Sequence, residues 1–230
     1  MPLVTQRIGA VKKLRESSSR EATRKLADIP YLFGEIRQPK EGNYLLIPRV
    51  SSERRNYVPI GFLSSEIIAS DATQIVPNAT LYEFGILTSS VHMAWMRAVC
   101  GRLKSDYRYS KDFVYNNFPW PFTEKQTDLF APNGTHEKKA KNVSSEQIRV
   151  LKTKIEQTAQ AILDARAQYP DSSLADLYDE LTMPPELRKA HQENDRAVMQ
   201  AYGFNPKMTE SEVVAELFMM YERLVENPQR

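Results

Sequence analysis

The hydrophobic period of this chain changes twice, and those changes limit the folds open to it. In residues 3–27 apolar side chains recur at helical spacing, with Val4, Ile8, Val11 and Leu14 at i, i+4, i+7 and i+10 among Lys, Arg and Glu. This predicts one helix, which SSSREATRKL continues more weakly. From Tyr31 the apolar runs become short and rich in β-branched and aromatic residues: YLFGEI, NYLLIPRV, YVPIGFL, EIIAS and TQIVP, separated by Pro, Gly, Asn and Ser. Such runs predict strands and turns of a compact mixed sheet. Helical spacing returns over residues 80–99, at Leu87, Val91, Trp95 and Val99. Residues 123–145 are polar and contain Pro-Asn-Gly, the composition of a linker. Ser144 and Ser145 then open a helix with Ile148, Leu151, Ile155, Ala159 and Ile162 on one stripe, stopped at Tyr169-Pro170. Helices over 173–181, over MPPELRKAHQENDRAVMQAYGF and over 210–224 complete a bundle. The fold class is therefore α+β: a lead-in helix over 1–28, a mixed α/β domain over 29–122, a linker over 123–145 and a small α-helical bundle over 146–230.

Charge is unevenly shared. Residues 1–122 carry 17 Lys and Arg against 11 Asp and Glu, and the remainder carries 14 against 18. A basic first half is compatible with a phosphate-facing surface; the acidic second half fits a supporting or protein-contacting module. One cysteine, Cys100, excludes an internal disulfide framework and a multi-cysteine zinc site. Its setting after an apolar helical pattern predicts a buried structural thiol. No run approaches the ~20 apolar residues of a membrane span, and a signal-peptide core is lacking. The expectation is a cytoplasmic chain without a membrane partner, in which the sequons at Asn78, Asn133 and Asn142 are coincidental. His92 and the His191, Glu193, Asp195 cluster are read as structural rather than metal-binding.

The stretch RAVCGRLKSDYRYSKDFVYNNFPWP, from Arg97, concentrates the chemistry. Arg97, Arg102, Lys104, Arg108 and Lys111 interleave with Tyr107 and Tyr109, a mixture suited to phosphates and bases. In an extended segment Lys104, Asp106 and Arg108 leave on one face. Lysine can donate to guanine O6 and N7, and aspartate can accept from cytosine N4, so Lys104 and Asp106 could read both members of one G·C pair. Arg54 and Arg55 in SSERRNY, with Arg102, Lys111, Tyr107 and Tyr109, are the candidate contacts to the DNA backbone. A solvated charged loop fits the same pattern. In VYNNFPWPF the prolines and aromatics predict a locked exit turn. The paired prolines of an Asn-Pro-Pro-aromatic methylation site are missing after Asn116 and Asn117. A glycine-rich loop after a strand, a nuclease cluster and a Ser/His/Asp set are also lacking. Catalytic residues, metal ligands and a bound cofactor are therefore not expected here.

YLFGEIRQP, SSERRNYVPIGFL, HMAWMRAVCGRLKSDYRYSKD and VYNNFPWP together resemble the C-terminal portion of MmeI-like restriction-modification enzymes. The resemblance covers essentially the whole chain and is densest over 31–122. It implies a DNA target-recognition domain and a helical tail cut from a longer polypeptide. A methyltransferase lobe upstream would modify adenine N6 and bind S-adenosylmethionine, and residues 1–28 would connect to it. The resemblance also implies three base-reading pairs: Lys104 with Asp106, Arg49 with Asp71, and Ala72 with Arg108. Arg49 and Asp71 again offer a guanine donor and a cytosine acceptor, although an ordinary salt bridge would explain them too. The expected partner is duplex DNA. The contrasting expectation is a protein–protein scaffold or assembly subunit without base readout.

Overall fold

The computed structural model describes residues 1–122 and 144–226; most of the expected linker lies outside them. The lead-in is two helices, α1 (Pro2–Glu16) and α2 (Glu21–Lys25), not the single helix expected over 3–27. The three serines at 17–19 explain the break, because their hydroxyls compete for backbone groups. Ser17 Oγ donates to the Leu14 carbonyl and Ser18 Oγ accepts from Arg20 N–H. α1 buries none of its residues. Arg15 ties it to the following strap by donating to the carbonyls of Leu26, Ile29 and Leu32 at 2.7–2.9 Å. YLFGEI, expected as a strand, is irregular, and Tyr31, Leu32, Phe33 and Ile36 are exposed. Its strand-forming residues have no neighbouring strand to pair with.

Two antiparallel three-stranded sheets follow. In the first, β1 (Asn43–Pro48) lies between β3 (Gly61–Ser64) and β4 (Thr73–Pro77). Leu45 faces Phe62 on one side and Val76 on the other. Pro59 delays β3 until Gly61, and EIIAS forms no strand. In the second sheet β6 (Asp106–Arg108) lies between β2 (Val50–Ser51) and β5 (Gly101–Leu103).

Residues 80–99 form two helices, α3 (Leu81–Leu87) and α4 (Ser90–Val99). Thr80 and Glu83 make a capping box for α3, and Ser89 Oγ accepts from His92 N–H to cap α4. The apolar spacing runs through the break, so only the hydroxyls at 88–90 betray it. Helices α5 (Ser145–Ala167), α6 (Leu174–Leu177), α7 (Pro185–Ala201) and α8 (Glu210–Glu226) follow the expected order, with α6 much shorter than predicted.

Although the chain passes from a sheet-rich to a helical half, the hydrophobic core is continuous across them. Leu45, Ile47 and Ile60 belong to the same buried cluster as Phe84, Ile155, Leu187 and Leu217. α3 packs against α5, and α4 against α8. At Gly85 the approach is so close that a Cβ would sit 2.6 Å from Ile155 Cγ2 and 3.1 Å from Ala159 Cβ. The Gly85 carbonyl accepts from Asn194 Nδ2 at 2.7 Å, and Asn194 Oδ1 accepts from Thr158 Oγ1 at 3.0 Å.

The buried polar groups span both halves. Tyr57 stacks on His191, centroids 4.1 Å apart, and donates its hydroxyl to Asp195 at 2.7 Å. Asp195 also accepts from Ser90 N–H. Tyr178 joins His191 at 2.6 Å, and Arg166 bonds to both Tyr178 and the Ile60 carbonyl. His191 and Asp195 thus serve the interior, and among the described residues no His, Cys and carboxylate group could hold a metal ion. Burial lowers the His191 pKa and raises that of Asp195. The exit turn at 114–122 is locked as expected: Trp95 Nε1 donates to Val114, Tyr202 to Pro119 and Tyr82 to Pro121, all onto carbonyls. Among the described residues no helix is long and apolar enough to cross a membrane.

Candidate nucleic-acid interface

The segment carrying Lys104, Asp106 and Arg108 is a hairpin, not one extended run. Leu103 pairs with Asp106, leaving Lys104 and Ser105 as a two-residue turn. Lys104 has φ +57°, the left-handed conformation that such turns use to match the twist of their strands. The expected alternation therefore fails at Lys104, which projects from the tip. It holds for Asp106 and Arg108, which share a face of β6.

Register defines that face completely. Leu103 stands opposite Asp106, and Gly101 and Val50 flank Arg108 from either side. Directly paired residues share a face, so Asp106 and Arg108 lie between Leu103, 51% exposed, and Val50, 41% exposed. The opposite face carries Tyr107 and Ser51, both buried. Arg102 lies over the Tyr107 ring at 4.2 Å and donates to the Ser105 carbonyl at 2.9 Å, bracing the turn.

Tyr107 and Tyr109, expected to meet the DNA backbone, are 8% and 3% exposed. Their alternation was legible but their face was not, because they pack inward. Tyr109 OH meets His92 Nε2 at 3.0 Å, and burial pushes the His92 pKa down to about 3. Trp95 and Met96 are buried as expected, while Cys100 is only half-buried. Burial raises the Cys100 pKa. Arg55, another expected backbone contact, turns toward the bundle and donates to the Ala175 carbonyl at 3.4 Å. Arg54 and Lys111 are exposed. Lys111 opens a wide turn over Lys111–Tyr115 and helps line a cavity of about 230 Å³ with Gln74, Tyr115 and Asn116.

The remaining reading candidates converge through the main chain. Arg49 sits between β1 and β2, where the chain passes from one sheet to the other. Its N–H donates to the Ala72 carbonyl at 3.0 Å, and its carbonyl accepts from Tyr109 N–H at 2.7 Å. One residue thereby joins the turn holding Asp71 and Ala72 to the strand end holding Arg108. Arg49 and Asp71 are not ion-paired. Among the described residues Arg49 Nε is buried without a partner, and the exposed Asp71 accepts from Ser70 Oγ at 3.4 Å.

One residue of this edge carried no signal in the sequence. Arg37, a lone base in an irregular strap, donates to the Ser70 carbonyl at 2.6 Å and the Thr73 carbonyl at 3.4 Å. It spans the turn that carries Asp71 and Ala72.

Two small sheets presenting polar turns along one edge, buttressed by helices, define an α+β recognition module. Residues 1–122 match the family model described as MmeI, target recognition domain, and residues 149–227 match MmeI, C-terminal domain. The chain is 35% identical over 226 residues to DNA methyltransferase A of Bacillus subtilis (strain 168), covering 98% of this chain and 23% of that protein. It is also similar to the Type IIL restriction-modification enzyme MmeI, whose structure was solved in complex with DNA. That likeness has a TM-score of 0.81 and 44% identity, over 98% of this chain and 27% of that one. The chain spans about a quarter of the length of these relatives. It belongs to the MmeI family and comprises that family's target recognition and C-terminal domains.

Proposed function

We propose that this segment selects the duplex DNA sequence modified by a methyltransferase lobe elsewhere in the parent polypeptide. The observation that carries the proposal is the Arg49 junction, which gathers two of the implied pairs onto one edge. Arg49 with Asp71, Ala72 with Arg108, and Lys104 with Asp106 are the base readers. Arg54, exposed in the loop after β2, and Lys111, exposed two residues beyond Tyr109, meet phosphates. The absence of an internal Arg49–Asp71 ion pair supports the reading, since each head then keeps its hydrogen-bonding capacity for a base edge.

Methyl transfer to adenine N6, and S-adenosylmethionine, belong in this reading to the other lobe. Adenine must leave the helix to be methylated, so this module grips the flanking duplex. Residues 1–36 face the parent's remaining chain: the unburied apolar side chains of α1 and of the strap at Tyr31–Ile36 support that contact. The reading also makes the parent a cytoplasmic enzyme.

The test exchanges the chemistry of one pair. Lys104→Glu with Asp106→Arg, made in the full-length parent, should invert one position from G to C, because glutamate accepts from cytosine and arginine grips guanine. Sequencing of methylated sites reads the outcome. Two mismatched contacts at roughly 1–3 kcal/mol each should suppress the original site by about one to four decades. An unchanged motif at full activity would sink the assignment.

A further inference from the structure

The three implied reading pairs draw on side chains from the Arg49 junction, the 70–73 turn and the β5–β6 hairpin, so readout depends on how these are held relative to one another. Two are held by their own strands. The Lys104–Ser105 turn closes a paired hairpin, and Arg49 is continuous with β1 and β2. The 70–73 turn is different, since the residues before it, EIIAS, form no strand. It joins β4 at Thr73, and one backbone bond, from Arg49 N–H to the Ala72 carbonyl, ties its middle to the junction.

Its internal bonds are concentrated on one residue, Ser70. The Ser70 carbonyl accepts from Thr73 N–H at 3.2 Å and Thr73 Oγ1 at 2.7 Å, while Ser70 Oγ accepts from Ala72 N–H at 3.2 Å. Arg37 adds Nη2 to the same Ser70 carbonyl and Nη1 to the Thr73 carbonyl. The planar guanidinium thus bridges the first and last residues of the turn, a geometry a lysine ammonium cannot reproduce. Arg37 has no carboxylate partner among the described residues. Its hydrogen bonds to this turn are its only side-chain bonds there.

We propose, building on the base-reading assignment above, that Arg37 is a positioning residue for readout: it fixes Asp71 and Ala72 relative to Arg49. Recognition groups must be held to within about 0.5 Å to discriminate. The turn keeps its own bonds without Arg37, and Ile47 and Ile60 remain in the core. Removing the guanidinium therefore loosens the turn without unfolding the domain. The effect is confined to the base pairs that Asp71 and Ala72 read. Lys104 and Asp106, on a hairpin Arg37 does not touch, keep their selectivity.

The experiment uses the full-length parent with Arg37→Met, which retains the apolar stem and removes the donors, and Arg37→Lys, which retains the charge. Asp71→Asn is the companion variant, and methylated sites are sequenced for each. Arg37→Met should lower discrimination roughly tenfold at the positions read through Asp71 and Ala72. The position read through Lys104 and Asp106 should be unchanged, and Arg37→Lys should fall between. If Asp71→Asn alters the motif and Arg37→Met does not, the positioning role is wrong and the base-reading assignment stands. If neither alters it, the assignment of Asp71 fails and takes this inference with it. Equal weakening at every position, with a shallower salt dependence of DNA binding, would make Arg37 a phosphate contact and overturn the proposal. A fall in the urea midpoint of Arg37→Met with an unchanged motif would make it structural and overturn it equally.

Discussion

Acidifying this protein should unfold it through two histidines that lie far from one another in sequence and share one circumstance. His92 and His191 are both fully buried. Each meets a tyrosine hydroxyl through Nε2, Tyr109 at 3.0 Å and Tyr178 at 2.6 Å. Neither has a carboxylate bonded to its ring, and Arg166 near His191 further disfavours a charged imidazole there. Burial therefore holds both rings neutral, with the His92 pKa down at about 3 and that of His191 well below its ordinary value. The unfolded chain takes up protons near pH 6.5 and the folded chain does not, so stability is full above that pH and falls as pH drops below it. At pH 5 the unfolded state gains about 2 kcal/mol from His92, and His191 adds to the loss in the same direction. That is a large part of the roughly 5–15 kcal/mol that holds a typical domain folded. The loss through His92 continues to about pH 3. Asp195 works the other way: its raised pKa favours the protonated fold and offsets part of the loss at the acid end. Urea unfolding at pH 7, 6 and 5 measures the slope. His92→Gln and His191→Gln each keep a group for the tyrosine hydroxyl, and each should make the slope shallower. A stability that is level from pH 7 to pH 5 would refute the argument, because it would mean that both rings can be protonated within the fold.

Three further outcomes follow from the geometry. Gly85→Ala should cost about 1–3 kcal/mol by urea unfolding, because the new methyl collides with Ile155 and Ala159 where α3 meets α5. Lys104→Gly should raise stability by about 1 kcal/mol, since glycine accepts φ +57° freely, yet on the proposed assignment it should abolish selectivity at the base pair given to Lys104 and Asp106. Binding of the 230-residue chain to duplex DNA should weaken steeply between low and physiological salt. An affinity indifferent to salt would argue against phosphate contacts.

The helical half was the most legible part of the chain because its signals are local. Ser144 and Gln147 form a capping box, Ile155, Ala159 and Ile162 keep one stripe, and α5 ends one residue before Gln168. The strands of NYLLIPRV and TQIVP were equally readable. Failures arose where a local pattern had no tertiary partner or too many. YLFGEI has strand-forming residues and no strand beside it. The spacing from Leu87 to Val99 is continuous in apolar residues and broken only by hydroxyls at 88–90. Lys104 lacks the Asn-Gly signature of a tight hairpin, so an extended run was the natural reading. Tyr107 and Tyr109 alternate as a strand requires, but composition beside arginines could not say which face turned inward. The Arg49 junction and the Arg37 brace bond to backbone groups of distant residues. No pattern of side-chain types records such contacts.

The Arg49 junction has a consequence for how such a protein diversifies. Its bonds to Ala72 and Tyr109 are made by the N–H and carbonyl groups that every residue but proline supplies. The scaffold is therefore nearly blind to which side chains stand at 49, 71 and 72. The buried links among Tyr57, Asp195, His191 and Tyr178 tolerate far less, since each depends on a particular polar head. Substitution at the edge is therefore cheap for the fold, whereas substitution among these interior links is not. On the proposed base-reading assignment, exchanges at the paired positions should accumulate as linked substitutions with little penalty to folding, each pair changing in step with the bases assigned to it.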